Sequence, residues 1–240
     1  MSDPSQPLHG PPPAPEPAPA RKPPTGQRTW QVLRAALQLW LLLVVSNLGA
    51  MVYVRVSGDT SPWVDVTVTG IDATVIALFA MPHRSQLAVL LDPRRCGGRA
   101  IALAIVTTGI AGLVVTGWFW LAQHVFALVS MLESFREHEW PLWSAFVLTA
   151  VVPPVVEEIA FRGILLERLQ RVMVAREAWL VQGVLFGFIH MSPAVFPSHI
   201  FLGLVLGWLR VRTGSLLPPM LMHALWNAWV LVEELWSGAW

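Results

Sequence analysis

Past residue 28 the chain is a succession of long apolar runs, each bounded by charged residues or by Pro and Gly. Seven such runs are legible, at 33–54, 64–82, 100–122, 141–160, 178–192, 196–211 and 215–236. A helix needs about 20 predominantly apolar residues to cross the hydrocarbon core of a bilayer. The pattern therefore predicts an all-α integral membrane protein, a polytopic bundle of about seven transmembrane helices. The fifth and sixth runs are short, and Pro193 and Pro197 between them predict a tight turn near one interface, where a site would open to water. A soluble helical bundle is the other architecture with apolar helices, and seven successive runs with so few charges disfavour it.

Residues 1–28 break the pattern. Ten of the first 24 are prolines and large apolar side chains are scarce, so this stretch is expected to be a disordered, Pro-rich cytoplasmic tail. It lacks the charged start, apolar stretch and small-residue cleavage site of a secretory signal, which makes the first apolar run an anchor. Composition agrees: 55% of residues are hydrophobic and 13% charged, against about 25% charged in an ordinary soluble domain. The net charge of +1 excludes a strongly basic nucleic-acid binder, and the single Cys96 excludes an intrachain disulfide framework or a multi-cysteine metal site.

The few charges carry an orientation. With the tail inside, all basic residues except Arg55 and Arg136 fall on the cytoplasmic side, and the clusters Glu133, Glu137, Glu139 and Glu233, Glu234 fall opposite. This is a strong positive-inside bias. Trp30, Trp63, Trp140, Trp143, Trp179 and Trp236 lie near the proposed span ends, as interfacial anchors do.

Ionisable groups inside apolar spans are costly and are usually kept for function. They gather in the C-terminal half. The fourth run ends in VVPPVVEEIAFRGILLERL, in which Glu158 and Arg162, four apart, share a helix face while Glu157 points elsewhere. Glu158 is expected to pair with Arg162, leaving Glu157 to face the bundle interior as a general base. Phe186 and His190 are four apart, as are His223 and Asn227, which predicts one helical face for each pair. A carboxylate, two imidazoles and an amide form a hydrolytic set: one carboxylate–histidine pair to deprotonate water, and N–H donors for the oxyanion formed at a scissile carbonyl. On the bare span boundaries Glu157 sits too close to the inner end to meet the histidines. The fourth helix is therefore expected to run past Arg162 toward Gln170.

Glu-Glu-x-x-x-Arg at 157–162, Phe-x-x-x-His at 186–190 and His-x-x-x-Asn at 223–227, in that order, resemble the CPBP (CAAX protease and bacteriocin-processing) family, which includes the Rce1-type prenyl-protein proteases. The resemblance covers about residues 141–230. It implies an intramembrane endopeptidase in which Glu157 and His190 activate water, His223 and Asn227 form the oxyanion hole, and Glu158 and Arg162 support the site. The chain is thus expected to comprise the tail at 1–28, N-terminal transmembrane helices at 29–130 and a catalytic transmembrane core at 131–240, and the resemblance bears on the last of these. A zinc site built from Glu157, His190 and His223 is the alternative chemistry, but the absence of an HExxH pair and the presence of Asn227 favour a glutamic mechanism with no cofactor.

The expected partners are the bilayer and a membrane-associated or lipid-anchored protein or peptide, cut near its C-terminus. The Arg-rich, Lys-poor composition points to a bacterial inner membrane. A non-catalytic membrane binding or immunity protein, holding a peptide or ion on the same polar cluster, is the competing class, and a proton-coupled transporter is a third. Smaller features have structural readings: Asp65 and Asp72 as a helix start or an interhelical hydrogen bond, Gly203-x-x-x-Gly207 as a close helix contact, and His199 at the mouth of the site.

Overall fold

The computed structural model describes residues 26–126, 128 and 130–237. The Pro-rich tail lies outside them, apart from residues 26–28, which already belong to the first helix.

Among the described residues the chain is built of helices without strands. Helix α1 (Gly26–Ser57) leads through a short break into α2 (Pro62–Ala80), whose first residue is a proline, a position where the missing N–H costs nothing. A single 3₁₀ turn (Met81–His83) joins α2 to α3 (Arg84–Leu90), and α4 (Gly98–Ala122) follows. A short helix α5 (Glu133–Glu137) precedes a composite rod made of α6 (Leu142–Ala145), a π-helical turn (Phe146–Val151), α7 (Val152–Glu158), a second π-helical turn (Ile159–Leu165) and α8 (Leu166–Leu169). The last three helices are α9 (Ala175–Phe188), α10 (Phe196–Thr213) and α11 (Leu217–Ser237).

Each expected apolar run is helical over most of its length. Among the described residues, four segments are long and apolar enough to cross a membrane: Thr29–Ser57, Pro62–Leu90, Gly98–Ala122 and Leu142–Leu169. The remaining three expected spans differ in design. Helix α9 has 14 residues, which at about 1.5 Å each is short of the roughly 30 Å hydrocarbon core. Helices α10 and α11 carry Arg210, Arg212, Glu233 and Glu234 near their C-terminal ends. Large apolar side chains such as Val45, Ile110 and Leu113 stand exposed on the outer faces of α1 and α4, as a lipid-facing surface requires.

The fourth rod extends to Leu169, as the depth argument required. Its irregularity has a local cause. The Thr149 carbonyl would accept from residue 153 in an α-helix or residue 154 in a π-helix, and both are prolines without an N–H. The helix widens there, and the Asn227 side chain of α11 donates to the Thr149 oxygen at 2.9 Å. A part-buried carbonyl left bare by two prolines is thus closed by an amide from another helix.

Helices α9 and α10 make the closest approach in the bundle. A Cβ built on Gly203 would lie 2.6 Å from the Gly183 carbonyl oxygen and 2.9 Å from its Cα, so the two backbones touch where neither residue has a side chain. The Gly203-x-x-x-Gly207 repeat has the role its spacing suggested. Gly203→Val should force these backbones apart and cost about 1–3 kcal/mol. Chemical unfolding in micelles should show a lower midpoint, and a midpoint equal to the wild type would contradict the close packing.

Candidate active site

Glu158 and Arg162 share one face across the second π turn and are both fully buried. The Arg162 guanidinium donates to Glu158 Oε1 at 2.8 Å, and its other terminal nitrogen donates to the Gly203 carbonyl at 3.1 Å. That carbonyl also accepts from Gln182 Nε2 at 2.9 Å. The guanidinium lies 4.3 Å from the centre of the Phe186 ring, within cation–π distance. One buried charge pair therefore ties the fourth rod to α9 and α10, and the glycine contact is what brings the Gly203 carbonyl within reach.

Glu158 has a second partner. His223 Nδ1 lies 3.0 Å from Glu158 Oε1. Glu158, already accepting from Arg162, can only accept again, so Nδ1 carries the proton in this contact and the ring presents Nε2 to the other side. There it meets Glu157, whose Oε2 is 3.9 Å away. That spacing is too long for a direct hydrogen bond and suits two groups acting on one small molecule between them. Glu157 Oε2 is buried and has no hydrogen-bond partner. Adjacent glutamates thus differ in their partners: Glu158 is held through Oε1 by Arg162 and by His223 of α11, with its Oε2 also buried and unpartnered, whereas Glu157 lines the cleft with no hydrogen bond to its Oε2.

That cleft lies between α1, α2, α7 and the turn after α9, and Asn47, Thr69, Asp72, Pro153, Glu157 and Ile189 line it. His190 does not sit within α9 as its spacing suggested. The helix ends at Phe188, and Met191 takes a positive φ of 51° ahead of Pro193, so the chain turns away. His190 Nδ1 still reaches back to the Phe186 carbonyl at 3.0 Å. Phe186 is a shared aromatic centre, with the His190 ring 5.1 Å and the His223 ring 5.7 Å from its own. His199, from the first turn of α10, lies 4.0 Å from His190 ring to ring.

The fold thus gathers Glu157, Glu158, Arg162 and His223 directly, brings His190 to them through Phe186, and commits one Asn227 N–H to the Thr149 carbonyl. Among the described residues no three His, Cys, Asp or Glu side chains gather as a metal ion would require. Gln182 and Asn47 were not foreseen. Each is a polar side chain inside an apolar helix, the signal that located the histidines. His199 and Asp72, read from the sequence as a residue at the mouth of the site and a structural group, both lie at the cluster, His199 against His190 and Asp72 in the cleft wall.

An all-helical membrane protein with its ionisable groups concentrated behind one cleft is the class that this arrangement defines. Residues 139–229 match the family model described as type II CAAX prenyl endopeptidase Rce1-like. A curated relative, "Putative membrane peptidase YdiL" of Bacillus subtilis (strain 168), is 24% identical over 136 residues, covering 55% of this chain and 53% of the relative. The chain spans about half the length of that relative. No solved structure matches it. Residues 139–229 are therefore similar to the Rce1-like type, and the relative's printed name describes a membrane peptidase.

Removing Arg162 would leave the Glu158 carboxylate buried without its cation. Arg162→Ala should cost about 3–5 kcal/mol, while replacing the pair together by Glu158→Leu and Arg162→Leu should recover much of that loss. Unfolding in micelles would show this. A single variant no weaker than the double would contradict the pairing.

Proposed function

We propose that the chain is an intramembrane endopeptidase that cuts membrane-associated or lipid-anchored proteins near their C-termini. Glu157 is its general base. The observation that carries this reading is the buried, unpartnered Glu157 Oε2 at the cleft, 3.9 Å from His223 Nε2. The family match over 139–229 and the relative's printed description as a membrane peptidase support the reaction class.

In the proposed reaction Glu157, with His190, takes a proton from water while the water oxygen attacks the scissile carbonyl carbon. The tetrahedral oxyanion accepts N–H donation from His223 and Asn227. Glu157 then returns the proton to the leaving nitrogen as the C–N bond breaks, giving a free carboxylate and amine. Donation from His223 Nε2 requires a ring protonated on both nitrogens, since Nδ1–H already serves Glu158. Asn227 keeps one N–H beyond that used by Thr149. Glu158 and Arg162 fix the His223 ring and leave the chemistry to Glu157.

We place the N-terminus on the cytoplasmic side of a bacterial inner membrane. The basic residues Arg84, Arg168, Arg171, Arg210 and Arg212 support this orientation, since contacts such as Arg168 with His83 and Arg210 with Glu167 gather them at one end of the bundle. A prenylated tail is one substrate class of the family type, and C-terminal sorting or export tails are the alternatives that the Arg-rich, Lys-poor composition favours.

Glu157→Gln should lower peptide cleavage by the purified protein at least about a hundredfold, the lower end of what a general base contributes. Exhaustive chelation should leave wild-type activity intact. Activity lost on chelation and restored by zinc would overturn the glutamic mechanism, and full activity in Glu157→Gln would overturn the assignment of the base.

A further inference from the structure

The wall of the cleft facing Glu157 is not made by the family-matched segment. Helices α1 and α2, outside residues 139–229, contribute Asn47, Thr69 and Asp72 to it. Asn47 uses both of its N–H groups, one on the Leu43 carbonyl at 2.9 Å and one on Asp72 Oδ2 at 3.2 Å. The carboxylate is thereby oriented through one oxygen only. Asp72 Oδ1 is buried and has no hydrogen-bond partner, the same condition as Glu157 Oε2 across the cleft. The Ser46 hydroxyl, also buried, is a candidate donor to the same carboxylate, which an occupant's N–H would have to displace.

Two buried acceptors that lack a hydrogen bond, on elements lining one cleft, are complementary to an occupant that supplies N–H groups. An unwound peptide supplies them. A membrane-embedded segment is helical until its scissile bond is exposed, and unwinding frees backbone N–H groups that apolar surroundings cannot satisfy. We propose that Asp72, oriented by Asn47, is a substrate-positioning residue that accepts one backbone N–H of the extended peptide lying against Glu157. The proposal rests on the endopeptidase reading and adds to it where and through which atom the substrate strand is held. Asp72 takes no proton from the reacting atoms, so its loss weakens binding and leaves the chemical step in place.

The test uses the full chain in phospholipid vesicles with a fluorescent Leu/Ala-rich peptide of roughly 20 apolar residues carrying a Gly/Ser-rich C-terminal exit segment. Analogues replace single backbone N–H groups around that exit by an ester oxygen. Binding is followed by energy transfer and cleavage by product release. One ester position should weaken wild-type binding and raise KM about ten- to hundredfold, the range for a hydrogen bond to a charged group. In Asp72→Ala, and in the isosteric Asp72→Asn, which turns its NH2 toward the cleft, that ester should change binding less than twofold and kcat should stay within threefold. Ser46→Ala should keep the wild-type ester penalty.

An ester penalty that persists in both Asp72 variants, or a loss confined to kcat, would overturn the proposal. Cleavage without any Asp72-dependent penalty overturns it while leaving the endopeptidase reading intact. Asp72-dependent binding without cleavage overturns the endopeptidase reading alone, and absence of both binding and cleavage overturns both.

Discussion

A carboxylate and a guanidinium, both withdrawn from solvent inside an apolar bundle, impose the constraint from which the site follows. Neither charge is tolerable alone in such surroundings, and even as a pair they need further hydrogen bonds to offset lost hydration. Glu158 and Arg162 obtain them from His223 on α11, the Gly203 carbonyl on α10 and the face of Phe186 on α9. Although Glu158 Oε2 and Arg162 Nε stay without a partner, holding the pair ties four helices together. Once they are fixed, His223 has one orientation and Glu157, next in sequence to Glu158, has one direction to face.

The same economy recurs at the prolines. Pro153 and Pro154 deprive the Thr149 carbonyl of a backbone donor, the rod widens, and Asn227 closes the gap. This ties the segment carrying Glu157 and Glu158 to α11 a second time, one helical turn along from His223. The result is a rigid polar frame on one side of the cleft. Opposite it, α1 and α2 present the simpler Asn47–Asp72 pair, with fewer constraints on each side chain. Both sides keep buried acceptors without a partner, Glu158 Oε2 in the frame and Asp72 Oδ1 in the wall, but the frame also holds a paired charge.

Much of this was legible in the residues themselves. The Glu158–Arg162 pairing follows from four-residue spacing, the glycine contact from a small-xxx-small repeat, and the length of the fourth rod from the depth that Glu157 needs. Local periodicity was a poor guide where tertiary contacts decide. Phe186 and His190 have helical spacing, yet the helix ends between them because Met191 and Pro193 turn the chain. The Asn227 bond to Thr149 and the Asn47 bond to Asp72 join residues 78 and 25 positions apart. No pattern along one helix reports which neighbour will face it. Apolar runs also located α9, α10 and α11 without revealing that α9 is short for a membrane and that the other two carry charges at their ends.

The central claim is the division of labour between neighbouring glutamates, Glu158 for structure and Glu157 for chemistry, and it can be tested without knowing the substrate. Residues held unsatisfied for function tend to cost stability, so removing them is neutral or stabilising, whereas breaking a buried pair is not. The most direct measurement is the unfolding midpoint, in one micelle system, of Glu157→Leu beside Glu158→Leu. The account predicts a Glu157→Leu midpoint at or above the wild type and a Glu158→Leu midpoint well below it. Equal losses in the two variants, or the larger loss at Glu157, would contradict it.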